Sequence, residues 1–355
     1  MKLGILTFHR ALNYGAVLQC FALKHILEEY GCQVYVIDYK QKFIEQLSNY
    51  SISFRGIAYD FLFRPSLVLN ELKIIMSESV RMFNFFYFRT RYLDCKEIVD
   101  DDLFKGLDVI VIGSDQVWNL DCTGGVDNLF LGNFVKPENK RIFGYSISSN
   151  IKSIQYLKDD IKKIVGNFDD ISFREKNVND EIKKILGIQY SVTLDPTLLL
   201  GASEWQSLIN NSWSERNYVV VYQVRGSKEV NTKINRFASD YAKKNKCHVI
   251  NLSNGRYSVR DFVSIIKYAK LVFTSSFHAI VFSIIFEREI APFKLNDGSD
   301  DRYVNLLNAL NLDYIIHNID DQFLSIHTID YSKVKNKLER MKVESLNYLM
   351  KITNA

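Results

Sequence analysis

The residues best placed to do chemistry in this 355-residue chain are TSSFHA, Thr274 to Ala279, at the junction of an apolar strand (LVFTSS) and an apolar helix (HAIVFSIIF). This pattern predicts His278 at a helix N-terminus, beside unpaired backbone N–H groups and preceded by the hydroxyls of Ser275 and Ser276. Free donors and the helix dipole both favour an anion there. A histidine titrating near neutral pH can give or take a proton, so anion binding coupled to proton transfer is the chemistry to expect. The competing structural reading is a helix start whose half-buried histidine satisfies its own hydrogen bonds.

The elements that must position these residues alternate along the chain. KLGILTF reads as a first strand, HRALNYG as a polar turn, AVLQCFALKHILEEY as a helix stopped by Gly31, and QVYVIDY as the next strand. This βαβ unit predicts a parallel sheet covered by helices. The alternation resumes with LDVIVIG (107–113), RIFGYSIS (141–148), DDISFRE (169–175) and YSVTLDPTLLL (190–200). A second series runs through NYVVVYQV (217–224), CHVINLS, LVFTSS and a short last strand, IAPFKL; NDGSDDR (296–302) reads as a loop. The expected fold class is therefore α/β, with two Rossmann-like doubly wound domains facing a cleft. Residues 1–200 form the first domain and 201–325 the second, anion-binding one, with 326–355 a helix packing back on the first. Residues 50–94 interrupt the pattern as a helical insert of two or three helices, rich in aromatics and carrying Arg55, Arg64, Lys73, Arg81, Arg89 and Arg91. Such a surface suits a membrane-borne partner; a packed insert with snorkelling arginines is the alternative.

In open parallel sheets ligands sit beyond the carboxyl ends of the strands. That rule selects loops bearing His9, Asn13 and Gly15; Ser114, Asp115, Gln116 and Trp118; Arg174 and Glu175; Asp195; Arg225; Ser275, Ser276 and His278; and Asp297 and Arg302. Gly15 would let the backbone approach a ligand, and Asn13 would line the cleft or cap the helix. Arg174 and Arg302 are candidate anion-binding guanidiniums, able to grip a carboxylate or phosphate with two parallel hydrogen bonds. Asp115 is a candidate general base. Gln116 and Trp118 are candidate cleft residues.

Composition narrows the function classes. With 45 basic and 41 acidic residues the net charge is +4, too small an excess to argue for nucleic acid. Cysteines at 20, 32, 95, 122 and 247 are odd in number and contain no CxxC pair, which disfavours a disulfide framework or a structural zinc and fits a reducing cytoplasm. MKLGILTFHR reads as a strand rather than a signal peptide. No metal-ligand cluster, GxGxxG or Walker A pattern is evident, so no metal or tightly bound cofactor is expected.

Taken together, NYGAVLQCFAL, VIGSDQVWN (111–119), SFREK (172–176), LDPTLLL (194–200), TSSFHAIVFSIIF (274–286) and DDRYVNLLNAL (300–310) resemble the polysaccharide pyruvyltransferase family. The resemblance implies a GT-B-like fold and phosphoenolpyruvate as donor substrate. It implies an acceptor hexose, often galactose, in a lipid-linked surface polysaccharide precursor. The product would be a cyclic pyruvate ketal, with phosphate released. It maps the family's donor-binding histidine onto His278. It departs at Ser276, where members often carry an arginine, so the donor must find its cation elsewhere, with Arg174 and Arg302 as candidates. The implied location is the cytoplasm, at the inner membrane face, with peripheral membrane contact. Two other readings stay open: a GT-B glycosyltransferase using a nucleotide sugar, and a non-catalytic scaffold for glycan assembly.

Overall fold

The computed structural model describes residues 1–48, 65–97, 103–296, 298, 300–321 and 324–355. Arg55, Arg64 and Asp297, named above, lie outside the described residues.

Two parallel sheets organise the chain. The first contains β1 (Lys2–Leu6), β2 (Gln33–Ile37), β3 (Cys95–Lys96), β4 (Val109–Asp115), β5 (Arg141–Ile147), β6 (Asp170–Phe173) and β7 (Ser191–Val192), in the order β3-β2-β1-β4-β5-β6-β7. The second contains β8 (Tyr218–Tyr222), β9 (His248–Asn251), β10 (Leu271–Thr274), β11 (Glu289–Lys294) and β12 (His317–Asn318), in the order β12-β11-β10-β8-β9. The central strands VIVIGSD of β4 and YVVVY of β8 are buried along their whole length, as continuous apolar runs must be when helices cover both faces. The α/β, two-sheet Rossmann-like architecture expected from the alternation is the one the chain adopts.

The strand orders define where a ligand can sit. In the first sheet the chain winds outward from β1 to β2 and β3, then returns to β4 on the other side of β1. In the second it winds from β8 to β9 and returns to β10 on the other side of β8. Each reversal opens a crevice at the carboxyl ends of two neighbouring strands. The loops after β1, β4, β8 and β10 therefore flank the two switch points.

An apolar interface joins the halves. Tyr14 opens the Tyr14–Glu29 helix and stacks on Phe262 of the second half, with ring centroids 4.4 Å apart, and its hydroxyl donates to the Tyr257 carbonyl at 2.7 Å. Phe21 of the first half packs on Trp205 of the second at 5.6 Å, and Trp205 in turn packs edge-on against Phe282 at 4.8 Å. One continuous core cluster includes Tyr14, Phe262, Trp205 and Phe282, with Phe21 packed against it. The Phe277–Ile285 helix is apolar around its circumference because it is buried between the halves.

The Tyr331–Thr353 helix crosses back to the first sheet. There the Leu194 N–H donates to Ser345 Oγ at 2.9 Å, and the Tyr348 hydroxyl donates to the Gly144 carbonyl at 3.0 Å. In the insert, the described part is a single 28-residue helix, Pro65–Tyr92. Within LDPTLLL, whose Asp195-Pro196 pair reads as a turn, Pro196–Leu198 form a one-turn 3₁₀ helix, because Asp195 caps it through the Thr197 N–H at 3.0 Å. Arg302, expected in a loop, lies in the first turn of the Asp301–Ala309 helix. Among the described residues no helix is long and apolar enough to cross a membrane.

Candidate functional site

A cavity of about 500 Å³ opens where the two switch points face each other. Its wall takes Phe8, Leu12 and Asn13 from the loop after β1, and Asp115 and Gln116 from the end of β4. Val224 and Arg225 follow β8, and Ser275, Ser276, Phe277 and His278 follow β10; Arg81, Arg302 and Asp121 are among the other residues that line it. The size lies within the range of roughly 300–1,000 Å³ usual for small-molecule sites.

His278 is the second residue of its helix, and Ser276 is the N-cap. Among the described residues the N–H groups of Phe277 and His278 have no hydrogen-bond acceptor, so both donors stay available at the positive end of the helix dipole. The imidazole is 6% exposed and is held from the opposite half of the molecule. Gly15 packs directly against it: a methyl group at Gly15 would fall 1.9 Å from His278 Nδ1. Asp195 Oδ2 lies 3.5 Å from Nε2, an ion-pair contact too long for a strong hydrogen bond.

Asp195 is itself locked. Its Oδ2 accepts from Arg174 Nη1 at 2.7 Å, and its Oδ1 accepts from the Thr197 N–H and hydroxyl. Burial alone would push this carboxyl up. The adjoining His278 and Arg174, with the Thr197 hydrogen bond, outweigh that and hold it well below the usual carboxylate range. It is thus a fixed negative charge facing the imidazole.

Arg302 is the complementary feature. It is half-buried, and among the described residues it forms no ion pair or hydrogen bond; its buried Nε has no acceptor. Burial, together with the charges of Arg174 and Arg225, lowers its pKa, with Asp115 and Glu175 acting the other way. Arg225, on the same wall, lies 3.3 Å from Asp300 Oδ1 and also donates to the Ser275 carbonyl. Among the described residues, His278 Nε2 and Arg302 Nε are buried side-chain atoms on the cavity wall without a hydrogen-bond partner. Buried polar atoms rarely go unmatched, so this pair marks a site built for a polar guest.

The sequence-selected residues separate into three groups. Asn13, Asp115, Gln116, Ser275, Ser276, His278 and Arg302 are brought together around the cavity. Asn13 also caps the Tyr14–Glu29 helix by accepting from the Gly15 and Ala16 N–H groups, and Ser275 donates to Gln223 Oε1 at 2.7 Å. Asp115 sits in the left-handed region at φ 76°, a conformation that gathers at functional sites. Gly15 meets the histidine rather than a ligand.

Two candidates are placed differently from expectation. Trp118 is fully buried; its Nε1 donates to the Phe130 carbonyl and its ring packs on Phe168 and Phe173, so it belongs to the core of the first half and not to the cleft. Arg174 is not on the cavity wall. Its Nε donates to Glu175 Oε1 at 2.9 Å, its Nη1 to Asp195, and its Nη2 lies 3.6 Å from Asp115 Oδ1. Three carboxylates already neutralise it, and they raise its pKa against the effect of burial.

The roles of Asp195, Arg225 and Arg81 in this site went unassigned in the sequence. The first two carried a signal, since each follows a strand. Arg81 carried none, because its place depends on how the Pro65–Tyr92 helix docks: its Nη2 donates to the Leu12 carbonyl at 2.6 Å.

A sequence profile described as Polysaccharide pyruvyl transferase matches residues 13–295. The chain belongs to that family. Membership makes it a transferase of polysaccharide pyruvylation, and the matched span contains the cavity residues from Asn13 to His278. No curated protein matches the sequence. Solved structures similar in outline include a co-structure of S. aureus MnaA with UDP, at 9% identity and TM-score 0.47, covering 97% of this chain and 90% of that one. A UDP-GlcNAc 2-epimerase from Methanocaldococcus jannaschii, in complex with UDP-GlcNAc and UDP, matches at 11% identity and TM-score 0.44, covering 96% and 93%. SsfS6, a glycosyltransferase from Streptomyces sp. SF2575, matches at 11% identity and TM-score 0.39, covering 98% and 96%.

Proposed function

We propose that this pyruvyl transferase moves the pyruvyl group of phosphoenolpyruvate onto two hydroxyls of a hexose, galactose by the family resemblance, in a lipid-linked polysaccharide precursor. The reading rests on one observation above the others: His278, at an open helix N-terminus, shares a cavity with an Arg302 that has no counter-ion among the described residues. The donor's phosphate and carboxylate are the anions that such a wall favours. Ser275 and Ser276 add hydroxyls, and Arg302 supplies the cation that Ser276 does not. Arg174 serves at one remove, holding Asp195.

In this reading His278 donates a proton to the vinyl CH₂ of the donor, making it CH₃ and placing positive charge on C2. One sugar hydroxyl adds to C2 and loses its proton to a base, for which Asp115 is the candidate. The C2–O bond to phosphate then breaks, phosphate leaves with the bonding pair, and the second hydroxyl closes the ketal as its proton passes to the imidazole that gave up its own in the first step. Asp195 is a positioning residue: its carboxylate lies 3.5 Å from Nε2 and fixes the side from which the ring is held.

Donor binding tests this without an acceptor in hand. Phosphoenolpyruvate and UDP-sugars are titrated separately into wild type and His278→Ala while thermal unfolding is followed. A ligand at a hundred times its Kd stabilises by about 2.7 kcal/mol. Stabilisation by phosphoenolpyruvate, reduced in the variant, is expected. Stabilisation by a nucleotide sugar alone would replace the proposal with glycosyl transfer. Near-normal turnover in His278→Ala would remove its role as acid.

A further inference from the structure

We infer that the exposed face of the Pro65–Tyr92 helix docks on an anionic lipid membrane and seats the cavity beside it. This helix has two apolar faces. Phe85 and Phe88 point inward and are 1% exposed. Met76, Phe83, Phe86 and Tyr87 point outward and are 70%, 65%, 55% and 52% exposed, with Ile74, Val80 and Met82 between 40% and 45%. Met76, Val80, Phe83 and Tyr87 follow one another at helical spacing and so form a single stripe, which Met82 and Phe86 widen. The rings of Phe83 and Tyr87 stack at 6.4 Å. A lone exposed apolar side chain is ordinary, but a contiguous patch marks an interaction surface.

Charge selects the occupant. From Ile74 to Arg91 the one acid is Glu78, which is half-buried and paired with Arg81 at 3.5 Å. Of the cations in the same stretch, Arg81 and Arg89 are half-buried and donate to the Leu12 and Arg10 carbonyls, whereas Arg91 is exposed one turn beyond Tyr87. Aromatic and thioether side chains flanked by arginine, with no exposed carboxylate, match an anionic bilayer surface: rings enter the interface and guanidinium meets headgroup phosphate. A second copy of the chain fits less well, because a two-fold contact would set this acid-free face against itself.

The same helix reaches the cavity, where Arg81 forms part of the wall. Docking would therefore bring the cavity mouth close to the lipid surface. That a lipid-linked acceptor enters there rests on the pyruvyl-transfer reading; the docking itself does not.

The test is flotation of the full chain with phosphatidylcholine vesicles and with phosphatidylglycerol-containing vesicles. Wild type should float with the anionic vesicles and be released by salt. Phe83→Ser/Phe86→Ser should lower the bound fraction about tenfold or more, since binding scales with buried apolar area. Arg91→Glu, at an exposed position that leaves the packing alone, should weaken binding to anionic vesicles. Unchanged thermal unfolding would certify the variants as folded. Wild type remaining with the bulk solution, equal flotation of all three proteins, or a dimer that the double variant dissociates without any vesicle binding would each overturn the inference. Vesicle binding without any response to phosphoenolpyruvate would leave the docking standing and sink the transfer reading.

Discussion

Gly15→Ala isolates the contact between the two halves at His278. Gly15 has no positive φ, so alanine suits its backbone, and within a helix it would gain roughly 0.5–1 kcal/mol over glycine. The added methyl, however, would lie 1.9 Å from Nδ1, 2.3 Å from Cγ and 2.5 Å from Cε1 of His278. Ordinary contact begins near 3.4 Å, so the ring must retreat by about 1.5 Å, the difference from the 1.9 Å approach. The apolar interface through Tyr14 on Phe262 and Phe21 on Trp205 resists opening, which leaves the imidazole to move. Overpacking costs about 1–3 kcal/mol, so net stability should change by no more than about 2.5 kcal/mol. Catalysis is far more sensitive: a misplacement of about 1 Å can cost on the order of a hundredfold. Phosphate release from phosphoenolpyruvate, with an acceptor that the wild type uses, should therefore fall about a hundredfold or more in kcat/KM while the protein stays folded. Gly166→Ala, at a helical glycine with nothing within 4 Å, is the control and should be silent. Wild-type turnover in Gly15→Ala would refute the claim that the imidazole works from where it sits.

Arg302→Gln should abolish stabilisation by phosphoenolpyruvate yet leave the unliganded protein as stable or more so, because the cation is half-buried with no counter-ion among the described residues; a clear loss of apo stability would show a structural role instead. Arg174→Met should lose about 3–5 kcal/mol in urea unfolding, since it strands Asp195 and Glu175 as buried carboxylates; a loss below about 1 kcal/mol would contradict the charge cluster. Asp38 is held well below the usual carboxylate range by its hydrogen bond from His9 and by Arg10, against burial. A depressed carboxylate contributes stability that is present above its unfolded pKa of about 3.9 and is lost as pH falls toward the folded value. The urea midpoint should therefore drop as pH falls below about 4, and less steeply in Asp38→Asn; equal slopes would exclude Asp38 as a source.

Much of this protein was legible because its signals are local. The apolar runs of β4 and β8, the stop at Gly31 and the strand-to-helix change at TSSFHA depend on neighbours in sequence, so periodicity located them and placed His278 at a helix start. The carboxyl-end rule then collected most of the cavity wall before any contact was known. It could not separate Asp115, which faces the cavity, from Trp118 three residues on, which turns into the core. That choice depends on side-chain direction in a loop with no repeating period. Nor could adjacency show that Arg174 spans three carboxylates, two of them far away in sequence, while Arg302 pairs with none among the described residues. By itself the sequence determined the strands, the helices and the chemistry available at their ends. Only the tertiary structure decided which ends meet, bringing Gly15 and Asp195 of the first half against His278 of the second, because packing between distant segments leaves no pattern along the chain.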